Sequence, residues 1–543
     1  MEKDIEKKIV ILGAGPTGLG AAYRLQELGY RNWHLYERSD HLGGLASSFQ
    51  DDAGFTYDIG GHVMFSHYKY FDNLVDKLLG SNYTEIMREA WVWMQDRFVP
   101  YPFQNNIRYL PRSVVLECVM GLIEAQKNPT KVNAATNFND LIDAQFGAGI
   151  AKYFMKPYNF KVWAHPVSHM SRDWLGERVA LPDIEKILKN VLLDQDDVSW
   201  GPNNKFKFPL RGGTGGLYSP MMQYVKDNLH LHKTAVSIDE NAKQIRFQDG
   251  EVVDYDLLLS TMPLDLLVGR LHDAPQLVRN APRGLHHSSG LIVGVGVKRP
   301  TPSQKCWLYF PESTSPFYRV TYLSNYSPYI APDPNHFLLL TETSYSEHKL
   351  ESKTDIVDRV VQGLINTKIL EPADLERIAS TYLIDVDYSY PVPTVDRNLA
   401  LGTIQPYLMQ HDIYSRGRFG AWEYEIGNMD HSVMQGVELV NHWLQHEPET
   451  TWKDFSHLTK NHAGEIAVKG QTMLIPGELE TALEAGNQRG AGQTFAVSDH
   501  TGGDGKVLFS ISGHGLIKAG TQPLKLTRDS LATTVSATPN GTH

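Results

Sequence analysis

The sequence predicts an α/β fold in which a parallel-stranded core is interrupted by a helical insertion and by an antiparallel β-sheet. Three observations carry this reading. The stretch from Lys8 to His67 runs apolar strand, glycine-rich turn, helix, strand, acid. From about residue 105 to 195 the apolar positions fall at helical spacing. From about residue 290 the texture changes to short β-branched and aromatic runs.

Ile9 to Leu12 is a continuous apolar run, as a strand buried on both faces requires. It feeds Gly13-Ala14-Gly15-Pro16-Thr17-Gly18, after which Ala21, Ala22, Leu25 and Leu28 follow at helical spacing. A second strand, Trp33 to Tyr36, ends in Glu37. This is the layout of a Rossmann-like dinucleotide-binding unit. Gly13 permits the tight turn, Gly15 lets backbone approach a pyrophosphate, and Gly18 lets the helix pack against the strand. The helix N-terminus offers free N–H groups to phosphate, and Glu37 stands where an acid accepts from ribose hydroxyls. The bland alternative is a glycine-rich turn in an ordinary α/β domain. A second glycine pair, Gly43-Gly44-Leu45-Ala46-Ser47, resembles the extended fingerprint of the flavin-binding amine oxidase and desaturase-like superfamily, which favours FAD over NAD. A third, in Asp58-Ile59-Gly60-Gly61-His62, either lets backbone approach a flat ring or is a simple turn.

Further along, Ser113 to Ala125 is expected to be a helix with Ser113 as its N-cap, and Phe138 to Phe146 and Ile150 to Phe154 continue the helical style. Gly212-Gly213-Thr214-Gly215-Gly216 marks the return to the nucleotide unit, with a helix expected over Tyr218 to Leu229. Strand-like runs follow at Lys233 to Ile238, Gln244 to Phe247, Val252 to Tyr255 and Leu257 to Thr261, with a hairpin turn at Asp249-Gly250. The antiparallel sheet is expected from Leu291 to Val297, Trp307 to Phe310, Phe317 to Leu323, Phe337 to Thr343 and Ile378 to Val386, interrupted by a helix at Asp355 to Leu364. Residues 411 to 445 give another glycine-rich turn and a helix. The remainder is rich in Gly, Thr and Ser, with short strands expected at Glu465 to Val468, Thr494 to Val497 and Val507 to Ile511, and disorder from about Thr527.

A chain of 543 residues exceeds one small domain, and its 41% hydrophobic and 21% charged content is ordinary for a globular protein. A net charge of -11 argues against nonspecific nucleic-acid binding, which needs a basic face. Cys118 and Cys306 are too few for a disulfide scaffold or a cysteine zinc site. The N-terminus lacks the apolar run of a signal peptide, and no stretch reaches the ~18 apolar residues of a membrane helix, so a cytoplasmic setting and no membrane partner are expected. The histidines are read as showing no HxxxH or HExxH spacing, and no metal site is expected. There is no GxSxG element and no isolated carboxylate pair.

Four stretches mix aromatics with amides or cations. Pro100-Tyr101-Pro102-Phe103-Gln104-Asn105-Asn106 and Lys156-Pro157-Tyr158-Asn159-Phe160-Lys161-Val162-Trp163 suit base recognition by stacking and amide contacts, or are loops with buried rings. Trp307 and Tyr309 share a strand face by period 2, followed by Phe317-Tyr318-Arg319 and Asn325-Tyr326-Ser327-Pro328-Tyr329. One arginine among tyrosines suits a diphosphate, though a tyrosine-rich sheet face is the plain alternative. Gly417 to Asn428 leads into Asp430-His431-Ser432 and a helix whose N-terminus suits a second approach to the cofactor.

Together, GAGPTGLGAA, GGLASS, YDIGGHVMFSHYKYFD, VPYPFQNN, KPYNFKVWA, WLGERVA, FPLRGGTGG, KCWLYFPE, SNYSPY, YPVPT and GRFGAWEYEIGNMDHS resemble the UDP-galactopyranose mutase family in its eukaryotic-type branch, in order from about residue 8 to 445. The resemblance implies an isomerase that interconverts UDP-galactopyranose and UDP-galactofuranose. Reduced FAD would act there through N5 as nucleophile on the anomeric carbon, with no net redox change. NAD(P)H is a candidate external reductant, and an oligomer is left open. The resemblance also implies a fold: a Rossmann-like FAD-binding domain (1–90, 211–290 and 395–460), a helical substrate domain with a mobile flap (91–210) and an antiparallel β-sheet domain (291–394). The extension at 461–543 has no assigned role.

Carried over residue by residue, Arg178 and Arg319 would clamp the diphosphate, with Tyr309, Tyr326, Tyr390 and Tyr424 as hydroxyl partners. Phe103, Gln104, Tyr158 and Asn159 resemble the uridine pocket, with Trp163 beside it; Trp307 resembles a wall of the sugar site and Asn203 lies on the flap. His62 resembles the histidine beside the flavin. Gly13, Gly15, Thr17, Gly18, Glu37, Arg38, Gly44, Leu45, Gly61, Val236, Arg418, Gly427, Asn428, Met429 and Ser432 would contact the cofactor. Met429 departs from the family, standing where a polar residue is expected. The alternatives are an amine oxidase or desaturase sharing only the FAD domain, a mutase for another nucleotide-hexose, and a silent nucleotide-sugar binder.

Overall fold

The structure, a computed structural model, describes residues 6–175, 179–198, 204–455 and 458, and strand segments at 465–469, 472–473, 507–512 and 516–517. The apolar run β1 (Ile9–Leu12) is buried at every residue. It pairs in parallel with β2 (Trp33–Tyr36) and β13 (Leu257–Ser260). With β9 (Leu229–His230) and β19 (Ile413–Ser415) they form a five-stranded parallel sheet ordered β19-β13-β1-β2-β9. Helix α1 (Pro16–Glu27) crosses α13 (Met429–Gln445) almost backbone to backbone. A Cβ on Gly436 would lie 2.0 Å from Thr17 O, and one on Gly20 would lie 2.5 Å from Val433 O. Two glycines thus hold two helix N-termini side by side.

The hairpin of β3 (Ser48–Gln50) and β4 (Thr56–Asp58) is tied to the Gly212–Gly216 turn by Asp58. Its buried carboxylate accepts from Ser48 Oγ, Thr214 N and Thr214 Oγ1. Helix α2 (Lys69–Leu79) follows, then β5 (Tyr83–Met87), paired antiparallel with β8 (Lys205–Pro209). The antiparallel meander β10 (Ala235–Asp239), β11 (Gln244–Phe247) and β12 (Val252–Asp254) flanks the parallel sheet, turning at Gly250 as expected. The helical insertion holds α3 (Arg112–Gln126), α4 (Thr130–Ala134), α5 (Phe138–Ile150), α6 (Lys156–Trp163) and α7 (Ile184–Leu193). Short helices α8 (Met222–Val225), α9 (Leu264–Arg270) and α10 (Gln276–Asn280) return the chain to the core, where α12 (Arg397–Gln410) also packs.

The second sheet has seven strands, ordered β18-β14-β17-β16-β15-β6-β7. These are β6 (Ala90–Met94), β7 (Arg97–Pro100), β14 (His286–Val297), β15 (Trp307–Tyr309), β16 (Arg319–Tyr322), β17 (Phe337–Tyr345) and β18 (Ile378–Val392), with α11 (Ile356–Asn366) packed on one face. The sheet is antiparallel except for β15 against β6, which run parallel. Strands β6 and β7 come from the segment expected to be helical. One buried cluster joins the insertion to the sheet, with Phe138, Ile142 and Trp163 packed among Trp307, Leu338 and Leu340.

Several expectations need correction. Helix α3 begins at Arg112 after Pro111, so Ser113 lies inside its first turn and caps nothing. The helix expected over Tyr218 to Leu229 is instead a series of short turns around α8. A π-type turn, Ala151–Met155, joins α5 to α6. In the tail, 465–469 pairs with 507–512 in a small antiparallel sheet; the strand expected at 494–497 and the disorder expected from 527 lie outside the described residues.

On β14 two glycines make room for the hairpin rings. A Cβ on Gly294 would sit 2.1 Å from Tyr57 Cε1, and one on Gly296 would sit 2.6 Å from Phe55 Cζ. Tyr57 cannot retreat, because it stacks on Tyr382 at 4.9 Å. Gly294→Val is therefore expected to lower folding stability by about 2 kcal/mol or more, the cost of overpacking a rigid core. Urea unfolding of the two proteins reads this directly; equal midpoints would contradict the packing argument.

Candidate active site

A single cavity of about 1360 Å³ runs from the first glycine turn, at Gly13, Gly15, Thr17 and Glu37, to the aromatic face of the seven-stranded sheet. Nothing lies within 4 Å of where a Cβ on Gly15 would stand, so backbone there faces open space. Gly18 does not line the cavity; its missing Cβ would meet Gly13 O at 1.9 Å, and it serves the helix–strand packing. Glu37 accepts from Ala14 N at 2.7 Å and from Ser39 N at 2.8 Å, which fixes its carboxylate at the end of β2. Arg38 lines the rim, and Gly44 lies where a Cβ would come 3.2 Å from Gly15 Cα. Helices α1 and α13 both end at this cavity with no side chain capping their N-termini. Leu45, Asn428, Met429 and Ser432 line it there, and Arg418 donates to Gly427 O at 3.0 Å.

The middle of the cavity is built around one buried acid. Glu342, 3% exposed, accepts from Gly61 N at 2.9 Å and from Tyr318 Oη at 2.7 Å. It takes Arg319 in a two-toothed grip, Nε at 2.6 Å and Nη2 at 2.5 Å. Burial alone would raise the Glu342 carboxyl, but the Arg319 charge and these donors hold it below its usual range. Arg319 also lines the cavity, its Nη2 reaches Tyr390 Oη at 3.5 Å, and its guanidinium carbon lies 4.9 Å from the Trp307 ring. His62 follows Gly61; burial pushes its imidazole down to about 4, with Arg418 and Arg319 acting the same way and Glu342 opposing.

At the far end the rings interlock. Tyr158 meets Tyr309 edge-on at 5.4 Å, and Trp163 meets Tyr424 at 4.7 Å and Tyr390 at 5.6 Å. Arg88 donates to Tyr309 Oη at 2.9 Å. Burial raises Tyr158 and Tyr390, so both remain protonated donors at neutral pH. Asn159 Oδ1 accepts from Trp163 Nε1 at 3.3 Å while its amide donates to Met155 O, and Gln104 donates to Ala180 O with its Oε1 unpartnered. Asn105 and Asn106 instead hold Asp197 and are structural.

Two expected side chains do not line the cavity. Phe103 lies behind the wall, stacked on Phe154 at 4.6 Å, and acts on the cavity only through Phe154 and Tyr158. Tyr326 is wedged between Phe206 and Phe208 and does not line the cavity. Val236 is 43% exposed beside Thr234 and Ala235, which line the cavity, so any contact it makes there is through backbone. Arg178 and Asn203 lie outside the described residues. The expected absence of an HxxxH spacing is incorrect, since His165-Pro166-Val167-Ser168-His169 has one, and His165, His169 and His348 bring ligand atoms within 4.8 Å of one another.

Residues 16–376 match the family described as flavin containing amine oxidoreductase. A solved structure of reduced UDP-galactopyranose mutase is 45% identical, with a TM-score of 0.80 over 84% of this chain and 98% of that one. The chain belongs to the UDP-galactopyranose mutase family. More distant structures share the fold alone, among them a fatty acid isomerase from P. acnes at 16% identity and TM-score 0.55, covering 82% of this chain and 100% of that one. The 4,4'-diaponeurosporene oxygenase of Staphylococcus aureus is 34% identical over 89 residues; that match spans 16% of this chain and only 17% of the oxygenase.

FAD, the cofactor this membership brings, suits the residues present. Two uncapped helix N-termini and the bare Gly15 backbone suit a pyrophosphate, and Glu37 suits a ribose. Glu342, Tyr318 and Arg88 are the site residues that sequence reading missed. No local motif marks Glu342; only its pairing opposite Arg319 across β16 and β17 reveals it. Among the described residues, no helix is long and apolar enough to cross a membrane.

His62 yields a stability test. Its folded value, about 4, lies below the ~6.5 of a free histidine, so between those values the unfolded chain binds the extra proton. Stability from this site is present above pH ~6.5 and is lost as pH falls toward 4. His62→Phe is expected to lose less stability than wild type between pH 7.5 and 4.5, by at least ~1 kcal/mol in urea unfolding. An equal loss in both proteins would contradict the buried, neutral imidazole.

Proposed function

We propose that the protein interconverts UDP-galactopyranose and UDP-galactofuranose with FAD in its reduced form and without net redox change. The observation that supports this most is the continuity of the cavity. One space joins the glycine turns that suit FAD to an arginine and tyrosine face that suits a diphosphate. When bound, reduced flavin supplies a nucleophile toward the anomeric carbon. The chain's own residues bind, orient and exclude water.

Arg319, held from behind by Glu342, presents its guanidinium to the diphosphate, and Tyr309, Tyr390 and Tyr424 add hydroxyl donors. Arg178 is the second clamp, and Tyr158 with Asn159 and Gln104 takes the uracil end. His62 remains neutral beside the reacting centre, and the Gly61 N–H, fixed on Glu342, sets the backbone there. The aromatic wall from Trp163 to Trp307 keeps water out and lets these contacts act at low dielectric. NAD(P)H as the physiological reductant and a cytoplasmic setting are parts of the same proposal. An amine oxidase has no use for Arg319 or the phenols around it.

Incubation of the flavoprotein with dithionite and UDP-galactopyranose is expected to give the furanose isomer on chromatography, with no oxygen or hydride acceptor consumed. Unchanged substrate, or stoichiometric oxygen uptake with an amine, would overturn the proposal. Arg319→Ala is expected to weaken UDP binding by at least ~2 kcal/mol in calorimetry, the scale of a lost charge-assisted contact. An unchanged affinity would remove Arg319 from its assigned role.

A further inference from the structure

Away from the cavity, the seam between the helical insertion and the seven-stranded sheet carries a cluster of imidazoles. We propose that His165, His169 and His348 form a zinc(II) site there. Their ligand nitrogens all lie within 4.8 Å of one another. Ligands on a tetrahedral zinc, at ~2.0–2.1 Å from the metal, stand ~3.4 Å apart, so modest side-chain rotation closes the set. Imidazole nitrogen is the donor zinc takes most readily beside thiolate, and no carboxylate belongs to this set.

The three rings are placed by scaffolding that needs no metal. His165 and His169 are four residues apart in His165-Pro166-Val167-Ser168-His169, just past the end of α6. His169 closes a short 3-10 turn, and its carbonyl accepts from Val395 N at 3.1 Å. His348 sits on the tight turn after β17, closed by Ser346 N to Lys349 O at 3.0 Å and the reverse bond at 3.2 Å. The two segments are joined where Ser346 Oγ donates to Ala164 O at 2.5 Å. The His165 and His348 rings meet edge-on at 4.6 Å, and His286 brings a fourth ring 5.3 Å from His165.

His165 is 4% exposed, while His169 and His348 are exposed, so the site has a buried floor and an open mouth for an ion. Lys349, next to His348 in sequence, is paired with Glu351 at 2.6 Å and presents little competing charge. A metal here would pin the C-terminal end of α6, the helix that carries Tyr158, Asn159 and Trp163, to the sheet that carries Arg319. The other close set, His67, Asp430 and His431, lines the large cavity and belongs to the cofactor site.

The test is metal content rather than turnover, so its failure is separate from any failure of the proposed activity. Chelator-treated full-length flavoprotein is dialysed against zinc chloride and counted by elemental analysis. One zinc per chain is expected to be retained. His169→Ala with His348→Ala is expected to weaken it by more than ~100-fold, beyond what loss of an outer-shell partner costs. Both positions are exposed, and an unchanged flavin spectrum and circular dichroism would report an intact fold; His348→Gln alone serves as the milder variant. The proposal is further supported if His67→Ala with His431→Ala keeps the zinc. No zinc on the wild type, undiminished zinc on the His169 and His348 variants, or zinc lost only with His67 and His431 would overturn it.

Discussion

Glu342 receives hydrogen bonds from Gly61 N, Tyr318 Oη and both Nε and Nη2 of Arg319, all at a position 3% exposed to solvent. A carboxylate that deep is tolerable only if its lone pairs are met by strong donors, and here four meet it. The arrangement fixes three things together. It sets the plane of the guanidinium where Arg319 lines the cavity. It anchors the glycine turn before His62. It also fixes the register of β16 on β17, because Arg319 and Glu342 are direct cross-strand partners. A slip of β16 by one residue would send Arg319 to the apolar opposite face, where Val320 lies among buried side chains, and leave Glu342 unpaired.

The rest of the molecule can be understood as the means of bringing two chemistries to that acid. The crossing of α1 and α13 through Gly20 and Gly436 gathers two helix N-termini at one end of the cavity. The shared core of the insertion and the sheet brings the phenols and indoles of α6, β15 and β18 to the other. Burial raises Tyr158, Tyr318 and Tyr390 and lowers His62, so at neutral pH this wall holds neutral donors around the guanidinium groups of Arg319, Arg88 and Arg418. Such a wall recognises an anion without itself titrating in the physiological range.

Local signals were legible and distant ones were not. The first strand, glycine turn, helix and acid were readable because each is set by neighbours in sequence. The cavity-facing Tyr309, Arg319, Tyr390 and Tyr424 followed from family resemblance rather than from spacing. Glu342 escaped because its partner Gly61 lies 281 residues away. Strand β6 escaped because its pairing with β15 joins segments far apart in the chain, and β7 is in the sheet only through its hairpin with β6. Tyr326 and Phe103 were misplaced by one layer, since a sequence of alternating aromatics does not say which ring faces the cavity and which supports it. The His165 and His169 pair is an HxxxH spacing that stood in the sequence and was overlooked; only His348 opposite needs three dimensions.

The central claim is that Glu342 acts on substrate through Arg319 while lying outside the large cavity itself. A double-mutant cycle on UDP affinity, with Glu342→Gln and Arg319→Ala measured singly and together by calorimetry on flavin-loaded protein, tests it directly. The account predicts that Glu342→Gln alone weakens UDP by about tenfold or more, ~1.4 kcal/mol, and that adding it to Arg319→Ala costs nothing further. Additive losses, or a Glu342→Gln protein that binds UDP like the wild type, would contradict it.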